Sequence, residues 1–318
     1  MNPFSNHAIA VEIRPRSQRA DPRPLGRLAA WALREEALLT PKPGLVDRRG
    51  NGAHADMNLA MLLHSADVLE PWFARIATCA ATMPVGTAMR TRLGTIGRAA
   101  EAAMFAATGG VNTHRGAIWA LGLLVAGCTL AARRSVEYSP GDSNSIEYGS
   151  VDFDTPAFAD EICRHAARLA RMPVIAQVSD SHGSRMHARF GVEGARGEAQ
   201  NGFPHVRTIA LPALREARTR YGDEQSARLH ALLTLVAHLD DTCLLYRGGA
   251  EALAFAQDGA IYVLDHGLDN GRGRRALCEF DRGLIDRNAS PGGSADLLAA
   301  TLLLDRIENT PEIADGNV

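Results

Sequence analysis

Aromatic side chains make up only 5% of this 318-residue chain, its five cysteines form no CxxC pair, and 36 acidic residues outweigh 34 basic ones. Each shortage excludes something. A formal charge of −2 leaves no basic surplus for non-specific nucleic-acid binding. Cys79, Cys128, Cys163, Cys243 and Cys278 are odd in number and dispersed, which fits a reducing, cytoplasmic setting rather than a disulfide framework. The longest apolar run, residues 117–132, includes two glycines and stops short of the roughly 20 residues a membrane span wants, so a buried core helix is expected there. The first 24 residues carry Arg14, Arg16, Arg19 and Arg23 with several prolines but no apolar h-region. They are expected to form a disordered or arm-like tail and not a signal peptide. HExxH, GxxxxGK[ST] and GxSxG are missing too, which removes the usual zincin, P-loop and serine-hydrolase readings.

What is present is helical. The chain is rich in Ala, Leu and Arg, and β-branched runs are few. Leu25, Leu28, Ala29, Ala32 and Glu36 share one helical face, as do Leu93, Ile96, Gly97, Ala100 and Met104, with Glu101 beside them. Leu232, Leu235, Val236, Leu239 and Cys243 make a third stripe, with Asp240 four residues after Val236. Carboxylates at the margin of apolar stripes are costly unless paired, hydrogen-bonded or metal-bound. The expectation is an all-α protein: a single large helical catalytic domain over 25–310 with long glycine-rich active-site loops, a surface loop at 134–156 and a C-terminal tail at 311–318. Further irregular stretches are expected at 172–204 and 265–274, and a short strand at 260–264.

Five glycine-containing polar segments interrupt the helices. Residues 40–58, TPKPGLVDRRGNGAHADMN, have neither helical nor strand period, and their prolines and glycines fix a backbone that aims Lys42, Asp47, His54 and Asp56. In GGVNTHRGA, Asn112 or Thr113 can cap a helix whose exposed N–H groups, with His114 and Arg115, make an anion site; an ordinary capped turn is the plainer alternative. In GARGEAQNGFP, Arg196 and Glu198 are either a solvated pair or ligand-facing groups. LDDTCLLYRGG sets Asp240 and Asp241 before Arg247; one of the two aspartates can hold Mg²⁺ or act as a base, or can pair with the arginine at a helix end. In SPGGSADLLAA, Ser290 or Ser294 can cap a helix whose Gly292–Gly293 mouth admits a phosphate, and Asp296 complements the helix dipole or helps to hold a metal.

These five motifs, in this order, resemble the triphosphoribosyl-dephospho-CoA synthase family over about residues 25–307, the version serving malonate decarboxylase more closely than that serving citrate lyase. The resemblance implies a helical enzyme that joins ATP to 3′-dephospho-CoA and releases adenine. Its product, 2′-(5″-triphosphoribosyl)-3′-dephospho-CoA, is the prosthetic-group precursor for an acyl-carrier subunit, with which a downstream transferase connects it only indirectly. On that reading Asp241, Asp240 and Glu101 are candidates for base and metal ligand. Lys42, Arg115 and Arg247 face phosphates with the Gly292–Gly293 mouth, its serines Ser290 and Ser294 and Thr113 alongside. His114 acts at the reaction centre, with Asn112, to orient ribose or adenine. Arg196 and Glu198 hold the second nucleotide, and His54 and Asp56 form an inner shell. Glu36, Asp47, Asp241 and Asp296 would ligate the Mg²⁺ expected with ATP. Asp241→Asn is then expected to abolish adenine release and leave the fold intact. Nucleic acid and membrane are not expected partners, and a homodimer is compatible with the sequence. The rival readings are a Mg²⁺-dependent N-glycosyl or phosphate-ester hydrolase using water in place of the ribose hydroxyl, and a non-catalytic nucleotide sensor or adaptor.

Overall fold

A computed structural model describes residues 23–137, 156–173 and 182–310. Residues 1–22 of the expected 1–24 tail, the expected C-terminal tail and most of the expected 134–156 loop lie outside the described residues, whereas Arg23 and Pro24 open a helix. Among those described, twelve α-helices run in the order α1 (Arg23–Leu38), α2 (Leu59–Thr82), α3 (Thr87–Ala107), α4 (Arg115–Glu137), α5 (Pro156–Arg171), α6 (His182–Phe190), α7 (Gly194–Gln200), α8 (Leu211–Tyr221), α9 (Glu224–His238), α10 (Thr242–His266), α11 (Gly271–Asp286) and α12 (Gly292–Glu308). A π-helical turn, His205–Ala210, leads into α8. There is no strand among the described residues, only an isolated bridge between Asp47 and Gly50.

Two apolar helices organise the bundle. α4 packs against α1, α2, α3, α5, α7 and α12, and α12 against α1, α4, α5, α9 and α10. The run Arg115–Arg133 is long and apolar enough to cross a membrane, yet 72% of its most apolar stretch is buried inside the bundle. Its neighbours supply the apolar surface that a lipid would otherwise supply, as expected for a core helix. One continuous core reaches from Leu25 to Ile307. A satellite of Ala37, Val46, Met57 and Leu62 lies under the 40–58 loop and pins it against α1 and α2. At about 1.5–3 kcal/mol for each large apolar side chain buried, this small cluster suffices to hold an irregular segment in one place.

Glycines punctuate helices here more often than they prevent them, and four expectations are corrected on that ground. The 172–204 stretch contains α6 and α7, separated by Gly191 and Gly194 with φ of 73° and 56°. The irregular part of 265–274 shrinks to the turn between α10 and α11, where the Asn270 side chain accepts from the amides of Arg272 and Gly273. The expected 260–264 strand is helical: Ala252, Ala256, Ala260 and Val263 bury one helical face, and that period overrides the β preference of Ile261, Tyr262 and Val263. Likewise, α4 runs on to Glu137, beyond the point where the loop was expected to begin. The RGG break is real: Gly249, at φ 67° and ψ −162°, divides α10 into two helical pieces.

Candidate active site

The 40–58 loop closes around its own charges. Asp47 accepts from the Lys42 amide at 2.8 Å, the Arg49 amide at 2.7 Å and Arg49 Nε at 2.8 Å. Arg49 continues to Asp281 at 2.9 Å, and Asp281 takes the Gly44 amide at 2.9 Å. Gly52 sits at φ 55°, where a Cβ would fall on the Leu45 carbonyl, so the loop closes only with glycine there. Thus braced, the loop sends Lys42 inward. Its side chain is 1% exposed, and its ammonium lies 2.5 Å from Glu36, the carboxylate at the inner end of the α1 stripe. A buried ion pair of this kind contributes little to stability as a pair, but removing either partner is expensive because the other is left charged and dry.

His54 joins the loop to two later elements. Its Nδ1 lies 2.9 Å from Arg247 Nη2 and its Nε2 2.9 Å from Ser290 Oγ. A guanidinium only donates, so Nδ1 accepts and the ring proton sits on Nε2, donating to Ser290. Burial and the Arg247 charge both push the imidazole down, to about 4, so it is neutral. Arg247 also donates to the Ala53 carbonyl at 3.0 Å and to Asn288 Oδ1 at 3.1 Å. It ties three segments together, and its expected role as a free phosphate ligand is corrected accordingly. Asp56 is corrected too: it lies on the exposed rim, 3.8 Å from His54.

Three helix starts converge beside Lys42. Asp241 Oδ1 caps α10 by accepting from Cys243 N at 2.8 Å and Leu244 N at 3.4 Å, and it also accepts from Gly293 N of α12 at 3.2 Å. Oδ2 accepts from Ser294 N at 2.8 Å and Ser294 Oγ at 3.0 Å. Burial pushes this carboxyl up while these donors pull it down. The α12 mouth, expected to cradle a phosphate, is therefore filled by the protein's own carboxylate, and Asp241 has no unsatisfied lone pair aimed at a substrate. The sequence pattern had identified an anion site at Gly292–Gly293 but not its occupant. Of the two adjacent aspartates, of which one was expected to face inward, Asp241 does so, and Asp240, the other candidate for base or metal ligand, is exposed beyond the end of α9.

Asp296 is placed differently. Its carboxyl meets the start of α4, where it takes a backbone hydrogen bond from Ala117, and a Cβ on Gly116 would land on its oxygen. Burial, then the nearby Glu36 and Asp241 charges, raise its pKa well above the ordinary carboxylate range. It nevertheless keeps intermediate solvent exposure. Of Glu36, Asp47, Asp241 and Asp296, Asp296 alone is joined to no cation and accepts from a single backbone amide.

The GGVNTHRGA turn contributes His114. Its side chain is 3% exposed; Nδ1 meets Ser65 Oγ at 2.8 Å, and Ser65 meets Thr113 Oγ1 at 2.7 Å. Its Nε2 is buried with no partner. Burial, with a smaller push from the Lys42 charge, lowers its pKa to about 3, so the ring is neutral. An unpaired polar atom in a dry site needs a reason, and a substrate group is the natural one. Asn112 Oδ1 accepts from the Arg115 amide at 3.2 Å and so caps α4, while Arg115 pairs with Glu101 at 2.7 Å. Glu101 thus faces the rim and not the carboxyl cluster.

The GARGEAQNGFP motif divides. Buried Glu198 accepts from His205 N at 2.9 Å and His205 Nδ1 at 2.7 Å, holding the π-helical turn and raising the histidine pKa. Arg196 points outward from the short α7. Gly194 packs on Thr242 at the α10 start, which sets this motif beside the convergence.

The four carboxylates expected to hold Mg²⁺ do not make a metal site. Asp47 is spent on its loop, Glu36 on Lys42 and Asp241 on two helix starts. Among the described residues no three His, Cys, Asp or Glu side chains gather in ligating geometry. Sequence reasoning also passed over Ser65, Asp281, Arg90, Arg98 and Trp119. For Arg90 and Arg98 a signal existed, since with Gly94 and Gly97 they fall on one face of α3 by the 3–4 spacing. Ser65 and Asp281 carried none.

A family profile described as ATP:dephospho-CoA triphosphoribosyl transferase matches residues 22–314. A protein of Pseudomonas fluorescens named as a probable 2-(5″-triphosphoribosyl)-3′-dephosphocoenzyme-A synthase is 48% identical over 294 residues, covering 92% of this chain and 94% of the relative. The 2-(5″-triphosphoribosyl)-3′-dephosphocoenzyme-A synthase of Klebsiella pneumoniae is 46% identical, covering 89% of this chain and 94% of its own length. No solved structure matches the chain significantly.

Proposed function

Because the chain belongs to the ATP:dephospho-CoA triphosphoribosyl transferase family, we propose that it transfers the triphosphoribosyl group of ATP to 3′-dephospho-CoA. The products are 2′-(5″-triphosphoribosyl)-3′-dephospho-CoA and free adenine. The observation that supports this most directly is Asp296, a carboxyl with raised pKa close to Glu36 of the Glu36–Lys42 pair, together with the unpaired buried His114 nitrogen.

In the proposed step the 2′-oxygen of dephospho-CoA bonds to C1″ of the ATP ribose as the C1″–N9 bond breaks. The hydroxyl proton passes to Glu36, which Lys42 holds in place, and Asp296 gives its proton to the departing adenine. A β-nucleoside yielding an α-linked product requires one inverting displacement, with base and acid on opposite faces of the sugar and an oxocarbenium-like charge between them. Neutral His114 presents Nε2 to the adenine or a ribose hydroxyl. Mg²⁺ enters with the triphosphate, whose oxygens are the hard ligands it takes. The product supplies the prosthetic group of an acyl-carrier subunit in the cytoplasm, and the sequence resemblance favours malonate decarboxylase over citrate lyase as its destination.

The test is incubation with ATP, Mg²⁺ and 3′-dephospho-CoA followed by mass analysis. Adenine and a triphosphoribosyl adduct are expected in equal amounts. ADP or AMP without adenine, or ribose triphosphate released to water, would overturn the reading.

A further inference from the structure

Among the described residues, Arg90 of α3 is a cation without an anion. It is 6% exposed, and its Nε is buried with no hydrogen-bond partner. Its guanidinium lies over the Trp119 ring, 5.1 Å from the centroid. Trp119 is itself fixed by Nε1 donating to the Ala195 carbonyl at 3.1 Å, one residue before Arg196. A second arginine of α3, Arg98, approaches from the other side: its Nη1 and that of Arg90 both lie 3.4 Å from where a Cβ on Gly94 would stand. Burial first, then the charges of Arg196 and Arg98, lower the Arg90 pKa, and no carboxylate is among the groups that act on it. None of the three makes a salt bridge among the described residues, whereas Arg207, Arg215, Arg218 and Arg228 all do.

Drawing the Arg90 and Arg98 guanidinium groups together without a carboxylate, with the Arg196 charge near enough to act on Arg90, is unfavourable, and burying one of them more so, unless an anion completes the arrangement. Arginine forks fit phosphate oxygens in pairs, and a stacked tryptophan keeps a fork flat and oriented. The cluster is also correctly located. Trp119 lies one turn along α4 from Gly116, on the same face, and Gly116 is the residue against which Asp296 packs. Arg196 comes from α7, whose first residue packs on Thr242 at the start of α10. Lys42, Arg115 and Arg247 are each joined to groups of the protein itself. Among the described residues, Arg90, Arg98 and Arg196 thus form a cationic group with no carboxylate joined to it, one helical turn from the α4 start that Asp296 meets.

We propose that Arg90, Arg98 and Arg196, against the wall formed by Trp119, are the subsite for a substrate phosphate chain, the triphosphate of the donor nucleotide. The proposal rests on the transferase reading for the identity of that nucleotide. The diphosphate of the acceptor offers the same chemistry with less charge, and the experiment separates the two sources.

Inorganic tripolyphosphate and pyrophosphate are titrated into the full-length protein, with calorimetry as the readout. Arg196→Ala removes an exposed side chain and leaves the packing intact; Arg90→Lys keeps the charge but loses the fork. Tripolyphosphate should bind the wild type, more tightly than pyrophosphate, and lose at least fivefold in affinity in both variants. In steady-state assays the same variants should raise KM for ATP with little change for 3′-dephospho-CoA; the converse assigns the subsite to the acceptor. A smaller loss in folded Arg196→Ala or Arg90→Lys, or no binding by the wild type, would overturn the proposal. Polyphosphate binding does not depend on turnover, so a protein that binds through these arginines but releases no adenine would sink the transferase reading and leave the subsite standing.

Discussion

Asp241 stitches two helices together at Ser294: its Oδ2 accepts both the Ser294 amide at 2.8 Å and the Ser294 hydroxyl at 3.0 Å, while its Oδ1 caps α10. One carboxylate thus neutralises two positive helix ends.

Asp241→Asn should therefore be a stability variant first. An amide keeps one acceptor oxygen and turns an NH₂ group toward N–H donors, leaving buried amides unsatisfied. The expected loss is about 2–3 kcal/mol, read as a lower urea midpoint at unchanged m-value. The fold-neutral effect expected from sequence would require an unchanged midpoint, which would refute the capping role.

Gly116→Ala tests the approach of α4 to Asp296. At an unconstrained helical position this change would stabilise by up to about 1 kcal/mol. Here the added Cβ meets the carboxyl oxygen, so the sign should reverse, with a lower Tm and at least a tenfold fall in kcat. A more stable, fully active variant would show that the two groups do not touch.

If Asp296 delivers the proton to adenine, activity falls as pH rises through its raised pKa, because the acid is then ionised. Asp296→Asn should lower kcat by about 10²-fold or more and remove that alkaline limb while leaving KM values within a few fold. A pH–kcat profile of unchanged shape in the variant would assign the limb to another group.

His54 makes a prediction of the opposite sense. Its pKa is lowered from 6.5 to about 4, so the unfolded chain takes up this proton before the native protein does. Its contribution is fully present above pH 6.5 and is lost as pH falls toward 4, with a slope of up to about 1.4 kcal/mol per pH unit. Raised groups such as His205 and Asp296 titrate in the other direction, so the difference between wild type and His54→Asn is the quantity to follow. That difference should shrink steadily as pH drops from 6.5 to 4; a constant difference would mean that the imidazole is not held neutral.

Much of the architecture was legible because helical period is a local property. The stripe ending at Glu36 is the buried face of α1, and the 117–132 run is the interior helix α4. The exception at 260–264 arose because β-branched and aromatic residues were weighed one by one, when the alanines at 252, 256 and 260 already marked a helical face. The site was legible as a set of segments and much less so as roles. Asp47, Asp241 and Asp296 look equivalent in sequence, each an acid within one of the polar glycine-containing motifs. One braces a loop, one caps two helices and one meets the start of α4, and what separates them is the number of donors already aimed at each.

Taken alone, the amino-acid sequence determined a helical protein, the five polar motifs that interrupt its helices, and its family. All three depend on residue order, which is complete before folding. Only the tertiary structure decided which charges are paired. Lys42 finds Glu36 through a closed loop, Arg247 finds His54 from 193 residues away, and Arg90 finds no anion among the described residues. Partner choice depends on distance and burial across helices far apart in the chain, and those quantities exist only once the helices have packed.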